Sequence, residues 1–277
     1  MGFYDRLDAA WDAFDSLLCV GIDPDPGRFP ACVGNSPTDI PAFAAAIIDA
    51  TADLVCAYKP QIAHFSALGA EAELETTIAL IRERAPHALV ILDAKRGDIG
   101  STAEMYAREA FERYGVDAVT VNPYLGSDGL TPFLAHADRG TIILCRTSNA
   151  SSAEVQNRSD GPPLFEEVAR LAATAWNGHR NVMLVAGATH PEELARIRAL
   201  APDVPLLVPG LGAQGGDAGE IVRAGLDGRG RGLVVNSSRA VLYASSGDDF
   251  AQAARAEAER SRDALRTAAQ AVLATRA

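Results

Sequence analysis

"ALVILDAKRGDIGSTAEMYAREAFERY", residues 88–114, changes character twice. It opens as an apolar run, passes through four charges in the six residues Asp93–Asp98, and continues with apolar residues at three- and four-residue spacing. Short continuous apolar runs read as strands buried on both faces, and the later spacing reads as an amphipathic helix. The unit is therefore strand, charged turn, helix. The same unit recurs along the chain. Strand-like runs are "LLCVGID" (17–23), "DLVCAYK" (53–59), "ALVILDAK" (88–95), "DAVTVN" (117–122), "TIILCRTS" (141–148), "NVMLVAG" (181–187), "VPLLVPG" (204–210) and "RGLVVNSS" (231–238). Helical patterns between them include "PAFAAAIIDATAD", "EAELETTIALIRERA", "PLFEEVARLAATAW" and "PEELARIRAL".

Parallel strands need crossover connections, so this alternation predicts an α/β fold with a parallel sheet. Eight units in a chain of 277 residues match the size of a (β/α)8 TIM barrel. The alternative is an open doubly wound sheet, but no G-x-G-x-x-G follows the first strand. Extra helices are expected at the N-terminal end ("YDRLDAAWDAFD") and the C-terminal end (248–277), and residues 1–277 read as one domain. Two stretches fall outside the compact pattern: a Pro/Gly-rich connection at 24–41 and a polar loop at 149–163. Loops of the second kind commonly cover or line sites.

The net charge of −11 argues against a nucleic-acid surface, because backbone phosphates demand clustered Lys and Arg. No apolar run approaches a membrane span, and the acidic N-terminal stretch is unlike a signal peptide. Cys19, Cys32, Cys56 and Cys145 show no metal-type spacing, and three lie in apolar runs. That usage points to a reducing cytoplasm.

In such a barrel the C-terminal strand ends share a mouth that holds the active site. The strand ends here are Asp23, Lys59, Asp93 with Lys95, Asn122, Thr147 with Ser148, Pro209 with Gly210, and Asn236 with Ser237. Asp93 and Lys95 are two apart on a strand and so share a face; Lys95 reads as the only lysine of the charged cluster. Plainer roles exist for each: a salt bridge plugging the barrel end, Asp98 as a helix cap, Lys59 as a solvated strand end. Late in the chain, "VPGLGAQGGD" (208–217) and the Arg of "NSSRAVLYA" (236–244) follow strands seven and eight. A Gly-rich turn and an Arg at a helix start make an anion site, placed where such barrels hold phosphate. Together they suggest a phosphorylated small molecule lying across the mouth.

These segments resemble a known family. "LDAKRGDIGSTAEMYA" resembles the Asp-x-Lys-x-x-Asp signature of the orotidine 5′-phosphate decarboxylases, and "GIDPDP", "AYKPQIAHF", "RTSNASS", "PGLGAQGGD" and "NSSRAVLYA" resemble its other site segments, in order. The length, "KPQIAHF" and "TSNASS" look most like the longer bacterial branch. The resemblance implies decarboxylation of orotidine 5′-monophosphate to uridine 5′-monophosphate, in pyrimidine biosynthesis, without a cofactor or metal. By it, Lys95 protonates C6, Asp93 sits beside the departing carboxylate, and Asp98 and Thr102 reach a neighbouring subunit's site across a homodimer interface. Asp23 and Lys59 would hold the ribose, and Gln214 and Arg239, beside Pro209, the phosphate. Ser148 would hold the pyrimidine, with Thr147 and Asn149 competing for that contact.

The chemistry agrees with the residue types. Loss of carbon dioxide leaves a carbanion at C6 with no adjacent carbonyl, so a fixed ammonium both stabilises and protonates it. Flanking carboxylates favour the charged lysine, each by about 1–3 pKa units. A Schiff-base aldolase would need a neutral amine there. A magnesium-dependent sugar-phosphate lyase would place an acid where Lys59 stands. A silent phosphate-binding barrel would need no acid–base array.

Overall fold

The computed structural model describes residues 1–158, 160–211 and 216–276. Eight parallel strands close into a barrel in sequence order: β1 Leu18–Ile22, β2 Ala57–Pro60, β3 Leu89–Arg96, β4 Ala118–Val121, β5 Gly140–Arg146, β6 Val182–Ala186, β7 Leu206–Pro209 and β8 Leu233–Ser237. Closure comes from β8 pairing with β1, Leu18 against Val235. The (β/α)8 architecture expected from the sequence is the one adopted.

Side-chain alternation divides the apolar residues into two layers. Inward-facing Cys19, Ala57, Ile91, Ala118, Ile142, Met183, Leu207 and Val234 form one cluster. Outward-facing Val20, Leu92, Val119, Ile143, Leu184 and Val208 belong to a second cluster, beneath the surrounding helices. The inner cluster also contains Phe3, Leu7 and Trp11. These three are spaced by four on the helix Phe3–Phe14, so they lie on one face. That helix closes the N-terminal end of the barrel, and its polar atoms are satisfied there: Trp11 Nε1 donates to the Leu233 carbonyl at 2.8 Å and Tyr4 to that of Val182 at 2.7 Å. Gly140 begins β5 against the Phe3 ring, where a side chain would collide with it.

The C-terminal helix Phe250–Arg276 is more than an appendage. It packs against the helices Ile40–Thr51 and Ala218–Gly225 and so takes the eighth place in the helical ring. Phe250 anchors its start by stacking on Phe43, which stacks in turn on Phe29 and Tyr243. The stretch 149–163 departs from a plain polar loop, since it contains a 3-10 turn, Ala150–Ser152, and a short helix, Ala153–Gln156.

Candidate active site

β3 brings the charged signature to the mouth. Its inward face reads Leu89, Ile91, Asp93, and the alternation continues to Lys95. The strand is not regular there. The pairing with β4 shifts register between Leu92 and Arg96, and Lys95 has φ +47°, in the left-handed region. A non-glycine residue held so stores strain on the order of 1–3 kcal/mol, and such outliers cluster at functional sites. The Thr120 hydroxyl holds the distortion: it accepts from the Ala94 and Lys95 main-chain N–H groups, both at 2.9 Å, and donates to Asp93 Oδ1 at 2.8 Å.

Asp93 is the centre of the site. Lys95 Nζ lies 2.6 Å from its Oδ1, and Lys59 Nζ lies 3.0 Å from its Oδ2. Both Asp93 and Lys59 are buried, whereas the Lys95 side chain is 48% exposed and accessible to a ligand. Burial alone would raise the Asp93 pKa, but Lys59 and then Lys95 outweigh it and hold the carboxyl at about 2. Burial pushes Lys59 down, yet Asp93 and Asp23 more than compensate, leaving its pKa above the ordinary lysine value. Lys95 is the only lysine of the charged run Asp93–Asp98, and the folded chain adds Lys59 to it from the neighbouring strand. Lys59 belongs to the row, because β2 and β3 pair with Ala57 beside Leu89.

Other expected residues stand around this row. Asp23, just beyond β1, has a buried Oδ1 without a hydrogen-bond partner among the described residues. Asn122 is engaged locally, its Oδ1 accepting from the Tyr124 main-chain N–H at 3.0 Å. Asp98 makes no ion pair with Lys95 among the described residues. Its Oδ1 accepts from the adjacent Ile99 N–H at 2.8 Å, and the helix Gly100–Arg108 has no side-chain cap, so the capping role falls away. Thr102 is exposed on that helix. Arg96 is committed within the chain, forming two 2.9 Å bonds to Glu109 and stacking on Tyr106.

At the end of β5, Thr147 Oγ1 donates to Asn149 Oδ1 at 2.6 Å and accepts from Gln156 at 2.8 Å. Ser148 is exposed, and no described residue bonds its hydroxyl. The segment is held by Arg146, which sequence reasoning missed. Arg146 is buried; it bonds Glu193 at 2.6 Å, the Thr147 carbonyl at 2.9 Å, and Ser152. Thr120 was missed likewise. Both were detectable as polar residues in phase with the inward face, two positions before Asn122 and Ser148.

Across the mouth, β7 ends at Pro209 and the chain turns at Gly210, φ +96°. The described amides of the Gly-rich turn are already used. Gly210 and Leu211 donate to the Asn236 carbonyl, and Gly216 donates to that of Gly210. Gln214 lies outside the described residues. Arg239 opens the one-turn helix Arg239–Leu242 after β8; its guanidinium is exposed and unpaired among the described residues.

A parallel barrel that buries Lys59 and Asp93 beneath an accessible Lys95 at its strand ends, beside polar groups unpaired among the described residues, is a barrel of the catalytic type. The sequence model of the "Orotidine 5'-phosphate decarboxylase / HUMPS family" matches residues 16–256. The orotidine 5′-phosphate decarboxylase of Cellvibrio japonicus (strain Ueda107) is 60% identical over 261 residues, covering 93% of this chain and 96% of the relative. That of Azoarcus sp. (strain BH72) is 58% identical over 266 residues, covering 96% and 98%. The solved structure of Leishmania donovani OMP decarboxylase superimposes with a TM-score of 0.85 at 36% identity, covering 97% of this chain and 99% of that one. The chain belongs to the orotidine 5′-phosphate decarboxylase / HUMPS family.

Proposed function

We propose that the protein is a carboxy-lyase that converts orotidine 5′-monophosphate to uridine 5′-monophosphate and carbon dioxide, with Lys95 as the proton donor. One observation carries the reading: an accessible ammonium, Lys95, is fixed 2.6 Å from a buried carboxylate that a second ammonium already neutralises. In the reaction the bond from C6 to the carboxylate carbon breaks and its electron pair stays on C6. A proton passes from Lys95 Nζ to C6, and the neutral amine regains a proton from water. The charged Lys95 stabilises the developing carbanion before it protonates it.

The remaining roles follow from which groups are free. The unpartnered Asp23 Oδ1 suits a ribose hydroxyl, with Lys59 beside it. Ser148 is the pyrimidine contact of the three candidates, since Thr147 and Asn149 bond each other. Arg239 grips the phosphate, with Gln214 as its partner from the turn after Pro209. Asp98 and Thr102 act across a two-fold dimer. Exposed Ile99 (57%), Met105 (58%) and Tyr124 (79%) lie on the same side of the barrel and favour a buried contact there. Four free cysteines, three of them buried, fit a reducing cytoplasm, and no described helix is long and apolar enough to cross a membrane.

The test is direct. Purified protein is mixed with orotidine 5′-monophosphate and the pyrimidine ultraviolet band is followed with and without a chelator. Conversion that a chelator leaves unchanged is expected. Persistent silence, or conversion only with added magnesium, would overturn the reading.

A further inference from the structure

The opposite end of the barrel carries a second concentration of charge. Asp117, just before β4, is 1% exposed. Its Oδ2 accepts from the Val90 main-chain N–H at 2.7 Å and pairs with Arg82 at 2.6 Å. Its Oδ1 pairs with Arg6 and lies 3.7 Å from Arg139. Three guanidinium groups thus converge on one buried carboxylate, and the exposed Asp138 adds a second acid at the rim, 3.4 Å from Arg139. In a chain of net charge −11 this is a local excess of positive charge.

The three arginines are also lining residues of a cavity of about 510 Å³, with Pro86 and His87 on its wall. That volume falls within the roughly 300–1,000 Å³ of small-molecule sites. Arg6 and Arg82 are ion-paired with Asp117, Arg139 lies 3.7 Å from it and 3.4 Å from Asp138, and each donates to one main-chain carbonyl, of Asp138, Gly115 and Val116 respectively. With five N–H donors apiece, they keep others for a ligand. Guanidinium forks match oxyanions in shape as well as charge, and an anion here would relieve the mutual repulsion of the three cations.

We propose that this cavity binds a small phosphorylated molecule, its phosphate seated on Arg6, Arg82 and Arg139, at the barrel end remote from Lys95. The site does not depend on the decarboxylase reading.

Inorganic pyrophosphate is the probe. Because Arg239 is a second anion contact, calorimetric titration is run on the parent and on Arg239→Ala. The Arg239→Ala protein is expected to retain one pyrophosphate site. Adding Arg139→Gln should weaken that site roughly tenfold, the worth of one charge-assisted hydrogen bond, with folding checked by thermal melting. A second readout needs no substitution: phenylglyoxal modification of Arg6, Arg82 and Arg139, followed by peptide mass spectrometry, should slow when pyrophosphate is present. Unchanged affinity in folded Arg139→Gln protein, or modification of all three arginines at the same rate with and without pyrophosphate, would overturn the proposal.

Discussion

Lys59 Nζ stands 3.0 Å from Oδ2 of Asp93, so the carboxylate facing Lys95 is already shared with a buried ammonium. The two lysines are therefore unequal. Lys59 is enclosed and structural to the row, whereas Lys95 presents its amine to the mouth. Lys95→Ala should abolish turnover, with loss of proton donation alone costing roughly 10²–10⁴-fold. Its half-exposed ion pair contributes about 1 kcal/mol or less to folding, so the melting temperature should barely move. Activity within tenfold of the parent would refute the assignment.

Asp93 links the site to acid stability. Its pKa falls from the ordinary 3.8 to about 2 in the folded chain. A depressed folded-state pKa means that the unfolded chain binds a proton first as pH drops. The stabilisation is thus complete above about pH 4 and lost as pH falls toward 2, a contribution of about 2–3 kcal/mol. Urea midpoints measured across that window should fall more steeply for the parent than for Asp93→Asn. Parallel slopes would show that the carboxylate is not held as described.

Thr120→Val keeps the shape of the side chain and removes the hydroxyl that serves Asp93, Ala94 and Lys95. Leaving those groups unpaired should cost about 1–3 kcal/mol of stability and release Lys95 from its left-handed conformation. A fall in kcat with little change in KM is expected. Recovery in Thr120→Ser, which restores the hydroxyl, separates this role from packing.

If Asp98 completes a partner's site, mixing Asp98→Asn with Lys95→Ala subunits regenerates one intact site in every mixed dimer. After full exchange, roughly a quarter of parental activity should return. Verified subunit exchange without recovery would place Asp98 in its own chain's chemistry or outside it.

Arg239→Ala should lower kcat/KM for the phosphorylated substrate by about 2–4 kcal/mol, as expected for a charged hydrogen bond and a stranded anion. Orotidine, which lacks the phosphate, should be little affected. An unchanged preference for the nucleotide would move the phosphate grip away from Arg239.

The barrel was legible in the chain because parallel strands buried on both faces must be continuously apolar and must alternate with crossover helices. "ALVILDAK" and its seven counterparts carry that signal locally. The two-residue spacing of Asp93 and Lys95 likewise suggested one face, although Thr120 of β4 holds the irregular strand that brings Lys95 to Asp93. The helix Phe3–Phe14 was visible as amphipathic, but periodicity names a face without naming the surface it covers. Only the folded chain seats Phe3, Leu7 and Trp11 in the barrel floor. Lys59 and Asp93 are 34 residues apart, and their contact depends on the register of β2 against β3. Thr120 reaches Asp93 through the register of β4. Strand register is set by the packing of the whole barrel, a nonlocal quantity. The local pattern therefore specified which residues face the mouth, and the closed sheet decided which of them touch.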